Sequence, residues 1–111
     1  MIYLASPYSH DDHAVQEQRF QQVCRVAAAM MRDGQHVFSP IAHTHPIAQH
    51  GDLPGHWQYW EAFDRWFIER CEKVVVLMLP GWKESRGVQA EIRIAEELGK
   101  PVEYLEVPAW L

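Results

Sequence analysis

Lys73-Val-Val-Val-Leu-Met-Leu79 runs without polar alternation and is closed by Pro80-Gly81. A strand with one face in water alternates apolar and polar side chains. A continuous apolar run of this length reads instead as a central strand covered on both faces. Covering both faces takes helices, and such helices come from right-handed crossovers between parallel strands. A chain of 111 residues holds one core of this kind, so a single domain over 1–111 is expected.

The flanking segments supply the partners. Met1 to Ala5 is a short apolar strand stopped by Ser6-Pro7. From His13 to Asp33, the residues Phe20, Val23, Cys24, Ala27, Met30 and Met31 recur at helical steps, and Gly34 closes the helix. Gln35 to Ser39 reads as a brief strand around Val37-Phe38, ended by Pro40. Residues 40–56 show no period and contain Pro46, Gly51, Pro54 and Gly55, which predicts a long loop, usually a functional feature in so small a domain. Trp57 to Cys71 is a helix with Trp60, Phe63, Phe67, Ile68 and Cys71 inward, and Arg86 to Leu98 is another, ended by Gly99. Pro101 to Val107 is the last strand. This order predicts a flavodoxin-like three-layer α/β sandwich with a parallel sheet of about four strands in the order 2-1-3-4. Ligands of such sheets sit beyond the carboxyl ends of the strands at the switch point, where Ser6–His10, the 40–56 loop and Pro80–Gly87 would meet.

A formal net charge of −5 argues against a binder of nucleic-acid polymers, whose affinity rests on clustered Lys and Arg. A small phosphorylated ligand needs only a local positive site. Cys24 and Cys71 read as reduced core residues of a cytoplasmic protein. No apolar run approaches a membrane span, and no signal peptide is expected. There is neither a Walker-type loop nor a GxGxxG, so no dinucleotide or NTP cofactor is implied. His43, His45, His50 and His56 fall within 14 residues, but their spacing matches no zinc pattern, and no metal is assigned. In an extended His43-Thr44-His45 both rings would lie on one side, where they either make substrate or capping contacts or are plain surface histidines.

Two acids stand on apolar stripes. Glu91 shares its helix side with Val88, Ile92, Ala95 and Leu98, and Asp64 lies between Trp60 and Phe67 on the inner face of its own helix. A buried carboxylate is costly unless hydrogen-bonded or protonated. Glu91 is therefore either a capped core acid or a catalytic one, and Asp64 is either catalytic or an acid facing a groove edge or paired with a basic residue. Two such acids on neighbouring helices suit glycosidic chemistry, one serving the anomeric carbon and the other the leaving group's proton. Tyr3, mid-strand, is either core packing or the hydrogen-bond partner of Glu91. Tyr8 and Trp82 either stack on a planar base or cover a core edge. Ser85, followed by Arg86 and Gly87 and preceded by Lys83, is either a plain helix cap or a phosphate seat at a helix N-terminus. Ser6 lies at the same sheet edge.

The segments Tyr3-Leu-Ala-Ser-Pro-Tyr8, Phe38-Ser-Pro-Ile-Ala-His-Thr-His-Pro-Ile47, Asp64 before Cys71 and Val74-Val-Val, and Leu79-Pro-Gly-Trp-Lys-Glu-Ser-Arg-Gly87 through Glu91 resemble the nucleoside 2-deoxyribosyltransferase-like superfamily, most closely its DUF1937 branch. The resemblance implies that Glu91 is the nucleophile at C1′, that Asp64 assists the departing base or holds the sugar, and that Tyr3 orients Glu91. The true transferases carry an aspartate where this chain has Ser85, and a serine there is similar to the branch that hydrolyses deoxynucleoside 5′-monophosphates. Pro7 departs from that branch, which has a second phosphate-binding serine. What the resemblance implies is N-glycosidic cleavage or transfer on a (deoxy)nucleoside 5′-monophosphate or related nucleotide, by a homo-oligomer, dimer or tetramer, with small-molecule substrates only. The alternative is a nucleotide-sensing module on the same fold without turnover.

Overall fold

The strand β3, Lys73–Leu77, lies inside the sheet as its apolar run requires, with β1, Ile2–Ala5, on one side and β4, Val102–Leu105, on the other. The fourth strand, β2, Val37–Phe38, pairs with β1, so the order is β2-β1-β3-β4 and every pair is parallel. The computed structural model describes residues 1–111. Its helices are α1, His13–Arg32; α2, Pro40–Gly51; α3, Trp57–Arg70; and α4, Arg86–Glu97. The architecture is a flavodoxin-like sandwich.

Strand alternation divides the core in two. Tyr3 is in register with Val74 and Ala5 with Val76. These four share one face with Ile68 of α3 and Val88, Ile92 and Ala95 of α4. Leu4, in register with Val75, turns to the other face with Leu77 and packs on Val23, Val26 and Ala27 of α1. The α1 stripe is centred on those residues and Met30; Cys24 and Met31 stand at its flank, which leaves Met31 52% exposed against expectation. The parity of Tyr3 sends its ring to the α3/α4 side, toward both acidic residues.

The segment after Pro40 is a helix, not a loop. Ser39 Oγ accepts from the Ala42 N–H at 3.1 Å, and Pro40 fills the first helical position, where a missing N–H costs nothing. Pro46 does remove one interior bond, but Thr44 Oγ donates to the Pro40 carbonyl at 2.7 Å, and Ile41 and Ala42 anchor the helix on the α1 core. Asp52, at φ 54°, ends it in the left-handed region. The helical period turns residues two apart in nearly opposite directions, so His43 and His45 diverge instead of sharing a side. His45 is buried, whereas His43 is exposed beside Phe38 and Phe63. No helix is long and apolar enough to cross a membrane.

Candidate functional site

At the carboxyl edge of the sheet, beside the β1/β3 switch point, lies a cavity of about 340 Å³. Ser6, Tyr8, His45, Asp64, Ser85, Arg86, Gly87 and Glu91 all line it. Its outer wall comes from α2 and the start of α3, with Ile41, Thr44, Trp57 and Trp60. Tyr3 lies beneath, fully buried, and touches the site through its hydroxyl's bond to Glu91, which lines the cavity. Of the residues expected from the sequence to bind substrate, two fall outside. His43 is turned away by the helix, and Trp82 packs against Tyr104 of β4, ring centroids 5.6 Å apart.

The floor is an acidic pair under a phenol. Glu91 and Asp64 project from adjacent helices and are 4% and 8% exposed. The Tyr3 hydroxyl donates to a Glu91 carboxylate oxygen. That single proton is committed to Glu91, so toward Asp64 the phenol offers only a weaker attraction. Burial pushes Asp64 up to about 7. Glu91 is raised well above the usual carboxylate range, first by burial, then by the neighbouring Asp64. Tyr3 rises likewise, held as a neutral phenol by burial and by the acids around it. Two carboxyls this close cannot both ionise cheaply, and the pair retains a proton toward neutral pH.

A donor-rich corner adjoins the acids. Ser85 is the N-cap of α4, its Oγ accepting from the Val88 N–H at 3.2 Å, which leaves its own proton free to donate. The start of a helix leaves the N–H groups of Arg86 and Gly87 without intrahelical partners. A Cβ at Gly87 would meet nothing nearer than Ser85 Oγ at 3.9 Å, so no protein atom requires glycine there. Ser6, 4% exposed, has an Oγ with no hydrogen-bond partner, although it lines the cavity. A buried hydroxyl without a partner is uncommon, and this one stands where a ligand would meet it.

The opposite wall holds an arrangement the sequence did not disclose. The Tyr8 hydroxyl is 2.5 Å from His45 Nδ1, and His45 Nε2 is 2.7 Å from Glu17 Oε2. Phe20 stacks on the imidazole with ring centroids 4.2 Å apart. Arg19 ties the edge together: its guanidinium donates to the Ser9 carbonyl at 3.0 Å and the Pro80 carbonyl at 3.2 Å, joining the loops after β1 and β3. Neither Glu17 nor Arg19 carries a local motif. A helical reading of α1 puts Glu17 three residues before Phe20, and only the fold of α2 brings His45 to it. No group of three or more His, Cys, Asp or Glu side chains converges to hold a metal ion.

The chain belongs to the DUF1937 family, a domain of unknown function, whose model matches residues 1–107. No curated protein matches it.

Proposed function

We propose that the protein cleaves or transfers the N-glycosidic bond of a (deoxy)nucleoside 5′-monophosphate or a related nucleotide. The observation that carries this reading is the Tyr3 hydroxyl donating to Glu91 beside Asp64, at the floor of a cavity whose rim is the start of α4. Glu91 is the nucleophile. The bond from Tyr3 favours its charged form against the burial that raises it, and in this reading the proton shared by the pair is on Asp64 when the base departs. Asp64, poised at about 7, is then matched to protonate the departing base. Attack by Glu91 at C1′ gives a glycosyl ester with inversion, and water or a second base releases it with overall retention. The phosphate is held by Ser85, by the N–H groups of Arg86 and Gly87, and by the unpartnered Ser6 hydroxyl. Glycine at 87 lets that phosphate approach the backbone. The motifs similar to the nucleoside 2-deoxyribosyltransferase-like superfamily support the same roles. A homo-oligomer belongs to the proposal, with Trp66 and Trp110, 51% and 58% exposed, available for contact.

The test is release of free base from a panel of ribo- and deoxyribonucleoside monophosphates, read by chromatography. Wild type should release base, and Glu91→Gln, which keeps an acceptor for Tyr3, should lose it by at least about 1,000-fold while folding normally. Full activity in Glu91→Gln refutes the mechanism. Saturable nucleotide binding without base release by wild type would make the protein a sensor.

A further inference from the structure

The chain of Tyr8, His45 and Glu17 is built from three separate elements. Tyr8 comes from the loop after β1, Glu17 from α1 and His45 from α2. The imidazole is 3% exposed, clamped by Phe20 on one side and met edge-on by the Tyr8 ring. The hydrogen bond from His45 favours the ionised form of Glu17 and lowers its pKa, with Gln21 adding to the effect. An ionised carboxylate can only accept, so His45 Nε2 carries a proton and donates it. In the neutral imidazole Nδ1 then holds a lone pair, and the Tyr8 hydroxyl donates to it. A hydroxyl donating to an imidazole whose far nitrogen is held by a carboxylate is the arrangement that activates a serine in hydrolases, here with a phenol in the serine's place. Tyr8 and His45 line the same cavity as Glu91 and Asp64 but stand on another wall.

We propose that this chain is the proton relay for the second half-reaction. The inference rests on the glycosidic reading. Once Asp64 has given its proton to the departing base, the sugar is esterified to Glu91, and an incoming water or acceptor base must lose a proton. The oxygen of water bonds to C1′ as the bond from C1′ to the Glu91 oxygen breaks, returning its electron pair to the carboxylate. The water's proton passes to Tyr8 Oη while the phenolic proton passes to His45 Nδ1. The imidazolium is held by Glu17, which is open enough to solvent for the proton to leave. In transfer, the N–H of an acceptor base takes the place of water. Tyr8 is thus a catalytic residue, and His45 and Glu17 act through it as positioning residues.

Rapid-quench time courses of base release, run on the intact protein with deoxynucleoside monophosphates, test this. Tyr8→Phe and His45→Gln should keep a burst of about one base per protein at close to the wild-type rate. Steady turnover should then fall about 100-fold, with sugar phosphate accumulating on Glu91 by mass spectrometry. Glu17→Gln should show the same split in weaker form. Burst and turnover slowed equally, or turnover unchanged, overturns the relay and leaves the glycosidic reading standing; unchanged turnover assigns the acceptor's proton to Asp64. Wild type that releases no base from any nucleotide overturns both. Nitrogen-resolved histidine spectra give a readout independent of turnover. They should place the His45 proton on Nε2, and a proton on Nδ1 overturns the relay, because the phenol would then have no lone pair to donate to.

Discussion

Asp64→Asn should stabilise the protein, and only above mildly acidic pH. The Asp64 carboxyl, ordinarily titrating near 3.8, is pushed up to about 7 by burial. The folded protein therefore holds this proton more tightly than the unfolded chain does. The stability it confers is complete below about 3.8, declines as pH rises, and is gone above about 7. At about 1.4 kcal/mol for each unit of pKa, the wild type forfeits at most about 4 kcal/mol across that window. Asparagine keeps the shape and never ionises, and it relieves Glu91 of its charged neighbour, which lowers the Glu91 carboxyl. Urea unfolding followed by tryptophan fluorescence at pH 4, 5, 6, 7 and 8 measures the difference. The two proteins should match near pH 4, and the variant should gain by up to about 1.4 kcal/mol for each further pH unit before levelling off above 7. A difference independent of pH, or a variant destabilised at pH 8 relative to pH 4, refutes the account of Asp64 as a strained buried acid.

Tyr3→Phe removes the donor that favours the Glu91 carboxylate, so the Glu91 carboxyl rises further. Base release should fall about 10- to 100-fold, with its acidic limb displaced to higher pH, as a pH–rate profile would show. Gly81→Ala forces a side chain into φ +94° and sets a Cβ 2.7 Å from the Arg19 guanidinium. Thermal unfolding should register a loss of about 1–2 kcal/mol. Ser39→Ala deletes the cap that starts α2 and should cost about 1 kcal/mol, with faster hydrogen exchange confined to Pro40–Gly51.

The topology was legible because it is written in β3. An apolar run without alternation demands cover on both faces, and the helical periods on either side supply it, which leaves the order 2-1-3-4 as the simplest solution. The acids were legible for the same reason. Glu91 and Asp64 interrupt stripes that are otherwise apolar, and an interruption of a period is itself a signal. The N-cap role of Ser85 could be read from its place before a helix. The inferences about Glu91, Asp64 and Ser85 use only neighbours on the same helix, which spacing alone can place on one face.

What was not legible depended on a helix disguised by its composition. Pro46, Gly51 and four histidines in a short span read as irregular chain, and the signals that make Pro40–Gly51 helical are the serine before it and the proline at its first position. Reading 40–56 as a loop had a chemical consequence, because extended geometry pairs His43 with His45 while helical geometry separates them. The separation sends His43 to solvent and His45 into the cavity wall, where Glu17, 28 residues away, meets one nitrogen and Tyr8, 37 residues away, meets the other. No periodicity can reveal such a contact, since it spans three elements whose relative placement is set by the sheet. The division is physical. Groups that line one helix or strand announce themselves through spacing, whereas a relay assembled across elements exists only once the core of Ile41, Ala42 and Val23 has brought α2 against α1.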